Sequence, residues 1–428
     1  MPMSQEFKER LLPRLARAAD HFGTPFHIYD ESGIRHTGRA LQDAFAGVPG
    51  FREYFAVKAL PNPRVLQIMR EMGFGFDCSS IPELLLARQA GARGEEIMFT
   101  SNNTGRAEFE EALADGGCIL NLDDTSLVDK VPQMPELVCF RYNPGARRLP
   151  AGAAHEAIIG NPLESKFGVA HEQILEAYGR ARRHGAHRFG LHTMLISNER
   201  DYRVMVRTAA MLLELTRWIE EQLDIRLEFV NLGGGLGIPY KPDEEALDVT
   251  AMGREIAAHL NAFREVQGYA PSVYMESGRY VTGPHGVLAT RVINRKDTYR
   301  RYVGVDASMP ALMRPGMYGA YHHVEVMGKG RDCVKEGAPE VVDVVGSLCE
   351  NNDKFAVQRA LPPIEEGDLL LIEDAGAHGQ AMGFTYNGRL RPKELLLRTG
   401  GVELIRRAET MEDYLATLRF EANCLNFD

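Results

Sequence analysis

Short runs of apolar residues that end on polar groups or glycine recur along the first two thirds of the chain. They read YFAVK (54–58), GFGFDCS (73–79), EIMFTSN (96–102), CILNLDD (118–124), LVCFRYN (137–143), RFGLHTM (188–194), LEFVNLG (227–233) and SVYMESG (272–278). Between them lie segments such as RVLQIMREMG, IPELLLARQAG and RVMVRTAAMLLELTRWIEEQL, with apolar residues at i, i+3, i+4 and i+7. Several of these end in glycine, a helix stop signal. The first pattern predicts strands and the second helices. Eight strands alternating with helices are the rhythm of a (β/α)8 barrel. The competing doubly wound sheet fits less well, because NLGGGLGIPY does not match G-x-G-x-x-G and no acidic residue follows at the expected spacing.

After about residue 280 the pattern changes. GVLATRVINRKDTYRRYVGVDA, PEVVDVVGSL, EEGDLLLIEDAG and ELLLRTGGVELIRR are strand-like runs separated by turn residues with little helix between them. The early segment TPFHIYDE (24–31) is also strand-like. The expected division is therefore 1–32 (an amphipathic helix and a strand that joins the β domain), 33–279 (the barrel) and 280–428 (a C-terminal β domain).

Composition narrows the functional classes. The chain has 428 residues, 44% hydrophobic and 25% charged, as in ordinary soluble globular proteins. A net charge of −10 argues against a general nucleic-acid binder, and no apolar stretch approaches the ~20 residues of a membrane span. The start lacks a signal-peptide apolar core, so a cytoplasmic location is expected. Six cysteines (Cys78, Cys118, Cys139, Cys333, Cys349, Cys424) are scattered with no C-x-x-C pair, which suits reduced thiols. The 13 histidines show no H-E-x-x-H spacing and YHHVEV reads as a polar strand, so no metal is assigned.

In such barrels the active site forms where the strand C-termini meet. The run ends here are chemically equipped: Lys58, Asp77, Ser101, Asp123, Arg141, His192, Gly233 and Glu276. Lys58 is either a solvated strand-end lysine or a lysine held for covalent chemistry, as in Schiff-base enzymes. Gly233, Gly234 and Gly235 could let backbone amides approach an anion, since barrels often bind phosphate at the loops after strands seven and eight. In MESGRYV, Arg279 beside Gly278 is a surface ion-pair member or a phosphate or carboxylate clamp, and Glu276 could hold a protonated pyridine nitrogen. His192 is either a satisfied core residue or a ring placed to stack on a flat cofactor. In the β domain, SLCENNDKF combines Cys349 with Glu350, MRPGMY offers Arg314 and Tyr318 for a substrate carboxylate, and Tyr386 offers an aromatic hydroxyl.

Taken together, FAVKA, GGGLGIPY, ESGRYV, MRPGMY, GSLCENND and DAGAHGQAMGFTYNGRLRPKELL resemble the fold-type III pyridoxal-phosphate decarboxylases, most of all the diaminopimelate decarboxylases, over residues 24–408. The resemblance implies an alanine racemase-like fold with pyridoxal 5'-phosphate as cofactor. It implies that Lys58 forms the internal aldimine, that His192 stacks on the pyridine ring, and that Glu276 binds the ring nitrogen. Asp77, Gly233, Gly234, Gly235, Gly278, Arg279 and Tyr386 would complete the cofactor site. Arg279, Arg314, Tyr318, Glu350 and Tyr386 would contact the substrate, with Cys349 as proton donor. In this resemblance Cys349 and Glu350 enter the neighbouring subunit's site, so a homodimer is implied.

The implied reaction is decarboxylation of meso-diaminopimelate to L-lysine, completing lysine biosynthesis. A different diamino acid, such as D-ornithine, D-lysine or a polyamine or natural-product precursor, is the near alternative. Racemisation and non-catalytic cofactor binding are the remote ones. The chain departs from the usual wording at four places, one of them His378 in DAGAHGQAMG, where tyrosine is frequent. HTMLISNE lacks the glycine–serine pair whose serine touches the phosphate, so that contact is lost or passes to Thr193 or Ser197. ESGR stands for the common EPGR, and VKALPNP lacks the usual asparagine.

Overall fold

The structure is a computed structural model that describes residues 3–147, 162–328 and 334–419. It divides into two compact units, one spanning Ser32–Pro284 and one made of the residues up to Glu31 and from His285 on.

The first unit is a closed ring of eight parallel strands: Arg52–Ala56, Gly75–Cys78, Gly94–Phe99, Cys118–Leu122, Leu137–Asn143, Arg188–His192, Leu227–Asn231 and Ser272–Met275. They are numbered here as barrel strands one to eight. Each pairs with the next, and strand eight closes on strand one through Tyr274↔Arg52 and Met275↔Glu53. All eight predicted strands are present. One local difference concerns Lys58: strand one ends at Ala56, and the lysine sits in the following 3-10 turn, Val57–Ala59. Asn62 then caps the helix Pro63–Glu71 by accepting from Arg64 N at 3.0 Å, with Pro63 in the first turn, where a missing N–H costs nothing.

Strand side chains alternate between faces. One set of alternate residues packs Tyr54, Met98, Ile119, Leu137, Cys139, Phe229 and Tyr274 into a single buried cluster inside the ring. Phe229 and Tyr274 stack at 4.2 Å and Tyr54 lies 5.2 Å from Tyr274, each such pair adding ~1 kcal/mol beyond its area burial. Gly190 on strand six makes room for this layer, because a Cβ there would lie 2.1 Å from the Phe229 ring. The barrel is thus plugged by aromatics below. The same alternation brings Lys58, Asp77, Asn121, Arg141, His192, Asn231 and Glu276 above that layer, toward the strand C-termini.

The second unit is a mixed sheet. Its central path runs Lys354–Leu361, Glu340–Val345, Arg301–Val305, Gly286–Asp297, Phe26–Asp30, Lys393–Arg398 and Gly401–Arg406. Val324–Met327 and Leu369–Ile372 attach beside Gly286–Asp297. The N-terminal strand therefore joins this sheet, antiparallel to Gly286–Asp297 and parallel to Lys393–Arg398. Helix Gln5–Phe22 covers one face, burying Phe7, Leu11, Leu15, Ala18 and Ala19 against Phe26, Ile28, Val287 and Leu395. Strand Lys354–Leu361 went unrecognised in the sequence because its buried residues do not alternate regularly. Cys333 and Cys424 lie outside the described residues, whereas Cys78, Cys118, Cys139 and Cys349 are free thiols.

Candidate active site

Three carboxylates and a lysine meet at the barrel mouth. Lys58 Nζ lies 3.4 Å from Asp77 Oδ2, with its side chain half exposed. Burial works against the ammonium, but Asp77, Glu276 and Glu83 outweigh it and hold Lys58 above its usual range. The Asp77 carboxyl is raised as well: burial and the neighbouring charge of Glu276 push it up, with Lys58 opposing.

Glu276 follows the last residue of strand eight. Its Oε2 lies 3.2 Å from His192 Nε2 and its Oε1 accepts from Asn231 Nδ2 at 2.8 Å. Burial alone would neutralise this carboxyl; His192, Lys58 and Asn231 overcome that and hold it below the usual carboxylate range. Asn231 also accepts from Gly233 N at 2.8 Å through Oδ1. One amide side chain therefore ties the end of strand seven to Glu276.

The three glycines are steric requirements. A Cβ on Gly233 would lie 2.5 Å from Thr193 O, on Gly234 2.3 Å from Glu276 O, and on Gly235 2.4 Å from Ile196 O. Gly233 and Gly235 also have φ of +69° and +99°, which favours glycine. Arg279 donates to Tyr240 Oη at 2.5 Å and lies over its ring, 5.8 Å from the centroid. Gly278 packs against the lysine turn, since a Cβ there would lie 2.6 Å from Ala59 Cβ.

The sequence leaves the missing serine's phosphate contact either lost or passed to Thr193 or Ser197. Thr193 Oγ1 is buried and donates to Tyr142 O at 2.9 Å, so its hydroxyl proton is committed to the barrel wall. The thioether of Met194 instead stands 3.2 Å from Gly234 N. A thioether is a weak acceptor, readily replaced by an anionic oxygen.

Pyridoxal phosphate fits these groups. Glu276 is ionised, His192 Nδ1 is buried without a hydrogen-bond partner among the described residues, and an amine and a side-chain-free glycine loop share the same end of the ring.

In the second unit, Arg314 is buried at the start of the short helix Arg314–Tyr318, while Tyr318 is exposed at its end. Gly316 of that helix abuts Asn352 O, 2.3 Å from its would-be Cβ. Cys349 and Glu350 follow strand Glu340–Val345 in an exposed loop. Cys349 N donates to Asn387 Oδ1 at 2.7 Å, which brings Cys349 beside the Tyr386–Asn387 turn. Asp353 shapes the same loop: Oδ1 accepts from Met309 N at 2.7 Å and Oδ2 from Leu348 N at 2.8 Å. The YHHVEV segment places His323 and Glu325 near Glu373, but Lys8 pairs with both carboxylates and supplies the cation there.

Sequence reasoning missed Asn231, Tyr240 and Glu53. Asn231 was legible as a polar residue inside an apolar run two positions before the glycines. Tyr240 and Glu53 carried no comparable signal.

Comparisons with known proteins point to one family. A family model described as "Pyridoxal-dependent decarboxylase, pyridoxal binding domain" matches residues 32–283. Protein TabA of Pseudomonas amygdali pv. tabaci is 47% identical over 422 residues, covering 98% of this chain and 97% of that one. Diaminopimelate decarboxylase of Methanothermobacter thermautotrophicus is 37% identical over 402 residues, covering 93% and 92%. The crystal structure of diaminopimelate decarboxylase from M. jannaschii in co-complex with L-lysine superposes with a TM-score of 0.85 at 28% identity, covering 94% of this chain and 93% of that one.

Proposed function

Because the chain belongs to the pyridoxal-dependent decarboxylases, we propose that it converts meso-diaminopimelate to L-lysine and carbon dioxide. The observation that carries this reading is the buried, ionised Glu276 carboxylate, gripped by His192 and Asn231 at the barrel end that also carries Lys58. Bound there, pyridoxal phosphate would supply an electron sink for the pair released as carbon dioxide departs.

The chain's own residues do the rest. Lys58 would hold the cofactor covalently through its amine, which Asp77 orients. Glu276 presents a negative charge that would favour a protonated pyridine nitrogen, and His192 would flank the ring. The amides of the glycine loop, with Gly278 and Arg279, receive the phosphate. Arg279, Arg314 and Tyr318 grip substrate carboxylates, Glu350 the distal ammonium, and Tyr386 borders cofactor and substrate. Cys349 passes a proton from Sγ to the carbon that has lost its carboxyl. Cys349 and Glu350 act in the site of a second copy, so the working unit is a homodimer. The free thiols suit a reducing cytoplasm.

The diaminopimelate assignment rests on paired charge types. A second amino-carboxylate needs both a cation and an acid, and Arg314 and Glu350 supply them. A second reading, decarboxylation of a different diamino acid, stays open because the relative at 47% identity bears a name other than diaminopimelate decarboxylase. The deciding experiment measures carbon dioxide release by the cofactor-loaded protein from meso-diaminopimelate, lysine and ornithine in both configurations. Release from meso-diaminopimelate alone supports the first reading. Rapid release from a D-diamino acid with none from meso-diaminopimelate replaces it with the second.

A further inference from the structure

Strands eight and one share the shortest backbone ladder of the ring, only Tyr274↔Arg52 and Met275↔Glu53, whereas strands five and six pair through five positions. Strand eight leaves this ladder at Glu276, whose N–H turns to Gly233 O at 2.9 Å. The next N–H, that of Ser277, is then buried with no backbone partner across the seam. A buried amide without an acceptor is costly, and such groups are almost always paired.

Here the acceptor is a side chain. Glu53 Oε1 takes the Ser277 N–H, with Glu53 only 3% and Ser277 1% exposed. By strand alternation Glu53 lies on the face opposite Tyr54 and Ala56, away from the barrel interior and its mouth. No step of the proposed chemistry uses it. A buried carboxyl is expensive to keep, so its retention on strand one calls for a role.

Glu53 and Lys58 stand on the same strand and turn. Ser277 stands between Glu276 and Gly278, and Gly278 packs directly on the turn that carries Lys58, with Ala59 Cβ and Ala56 Cβ 2.6 and 3.2 Å from its would-be Cβ. The Glu53–Ser277 bond thus joins the segment bearing the lysine to the segment bearing the carboxylate. It extends the seam one step past its last backbone pair.

We propose that Glu53 is a positioning residue of the cofactor site: by accepting the Ser277 N–H it sets where the Glu276–Arg279 turn sits relative to Lys58. The proposal rests on the reading of Lys58, Glu276 and Arg279 as cofactor-binding residues. Burial pushes the Glu53 carboxyl well up, with the Ser277 bonds opposing and Glu276 adding to it. A neutral glutamine is therefore its faithful replacement. Proline at 277 has no N–H and needs no acceptor.

The test uses Glu53→Gln, Glu53→Leu, Ser277→Pro and the double variant Glu53→Leu/Ser277→Pro. Hydrogen exchange of the peptide carrying Ser277 is measured in cofactor-free protein, and the pyridoxal phosphate dissociation constant by absorbance titration. Glu53→Leu should quicken exchange and weaken cofactor binding, each about tenfold, the size of one lost hydrogen bond. Glu53→Gln should leave both within about twofold. The double variant should regain most of the lost affinity, a coupling that independent sites would not show.

Glu53→Gln damaging the protein as much as Glu53→Leu overturns the proposal, as does a double variant whose losses simply add. Faster exchange with unchanged cofactor affinity overturns the positioning role while leaving the site reading intact. Survival of the visible cofactor band in Lys58→Ala overturns the site reading itself, and the proposal with it. Should Glu53→Leu fail to fold, the glutamine and double variants carry the same contrast.

Discussion

His192 Nε2 lies 3.2 Å from Glu276 Oε2, with both side chains buried at the end of the barrel. This contact, together with Asn231 on the other carboxylate oxygen, keeps a negative charge where burial alone would extinguish it. A carboxylate that stays ionised in such a place can stabilise a cationic partner far better than one in water.

Replacing Glu276 by glutamine should therefore lower kcat on the order of hundredfold, the scale of losing one preorganised electrostatic contact. The change also has a pH signature in the cofactor-free protein. The folded pKa of Glu276 is depressed, so its stabilising contribution is complete above the ordinary carboxylate value of about 4.3. It disappears as pH falls through the lower folded value. Urea midpoints measured against pH should show wild type losing an advantage over Glu276→Gln in that acidic window.

Asp77 raises the pKa of Lys58 across a 3.4 Å contact. The amine must be neutral to attack the cofactor aldehyde, so Asp77→Asn should make covalent capture possible at lower pH. A shift of about one unit in the half-maximal pH is expected from removing an opposite charge at this distance. The measurement is the rate at which cofactor-free protein develops the bound-cofactor absorbance; an unmoved profile would show that Asp77 does not act on the amine.

Gly234→Ala places a Cβ 2.3 Å from Glu276 O. Backbone on both sides must give way, so a loss of about 1–3 kcal/mol is expected, together with cofactor affinity. Gly47→Ala is the control, since nothing lies within 4 Å of its Cβ. Thermal unfolding of the two variants should separate them by several degrees.

In the β domain, Asp353→Ala strands the amides of Met309 and Leu348. The expected cost is about 2–6 kcal/mol, from two lost acceptors at 1–3 kcal/mol each. Asp353→Asn, which keeps one acceptor, should cost less. Because these bonds shape the loop that carries Cys349, kcat should fall in Asp353→Ala even at temperatures where the variant is fully folded.

The sequence alone determined the alternation of strands and helices, the position of every barrel strand, and the polar end of each. These features are local. A period of two marks a strand, a period near 3.6 marks a helix, and the polar residue that ends each apolar run shows which strand end is equipped. It also exposed Lys58, His192, Glu276 and the glycines, because each interrupts an apolar or helical pattern at a strand terminus.

What the sequence could not convey is pairing across strands. That Asn231 holds Glu276, that Tyr240 anchors Arg279, and that Thr193 spends its hydroxyl on Tyr142 O follow from the pairing of neighbouring strands in the ring. So does the contact between Glu53 and Ser277, 224 residues apart in the chain. Only closure brings strand eight beside strand one, and a hydrogen bond between residues that far apart leaves no local periodicity to read.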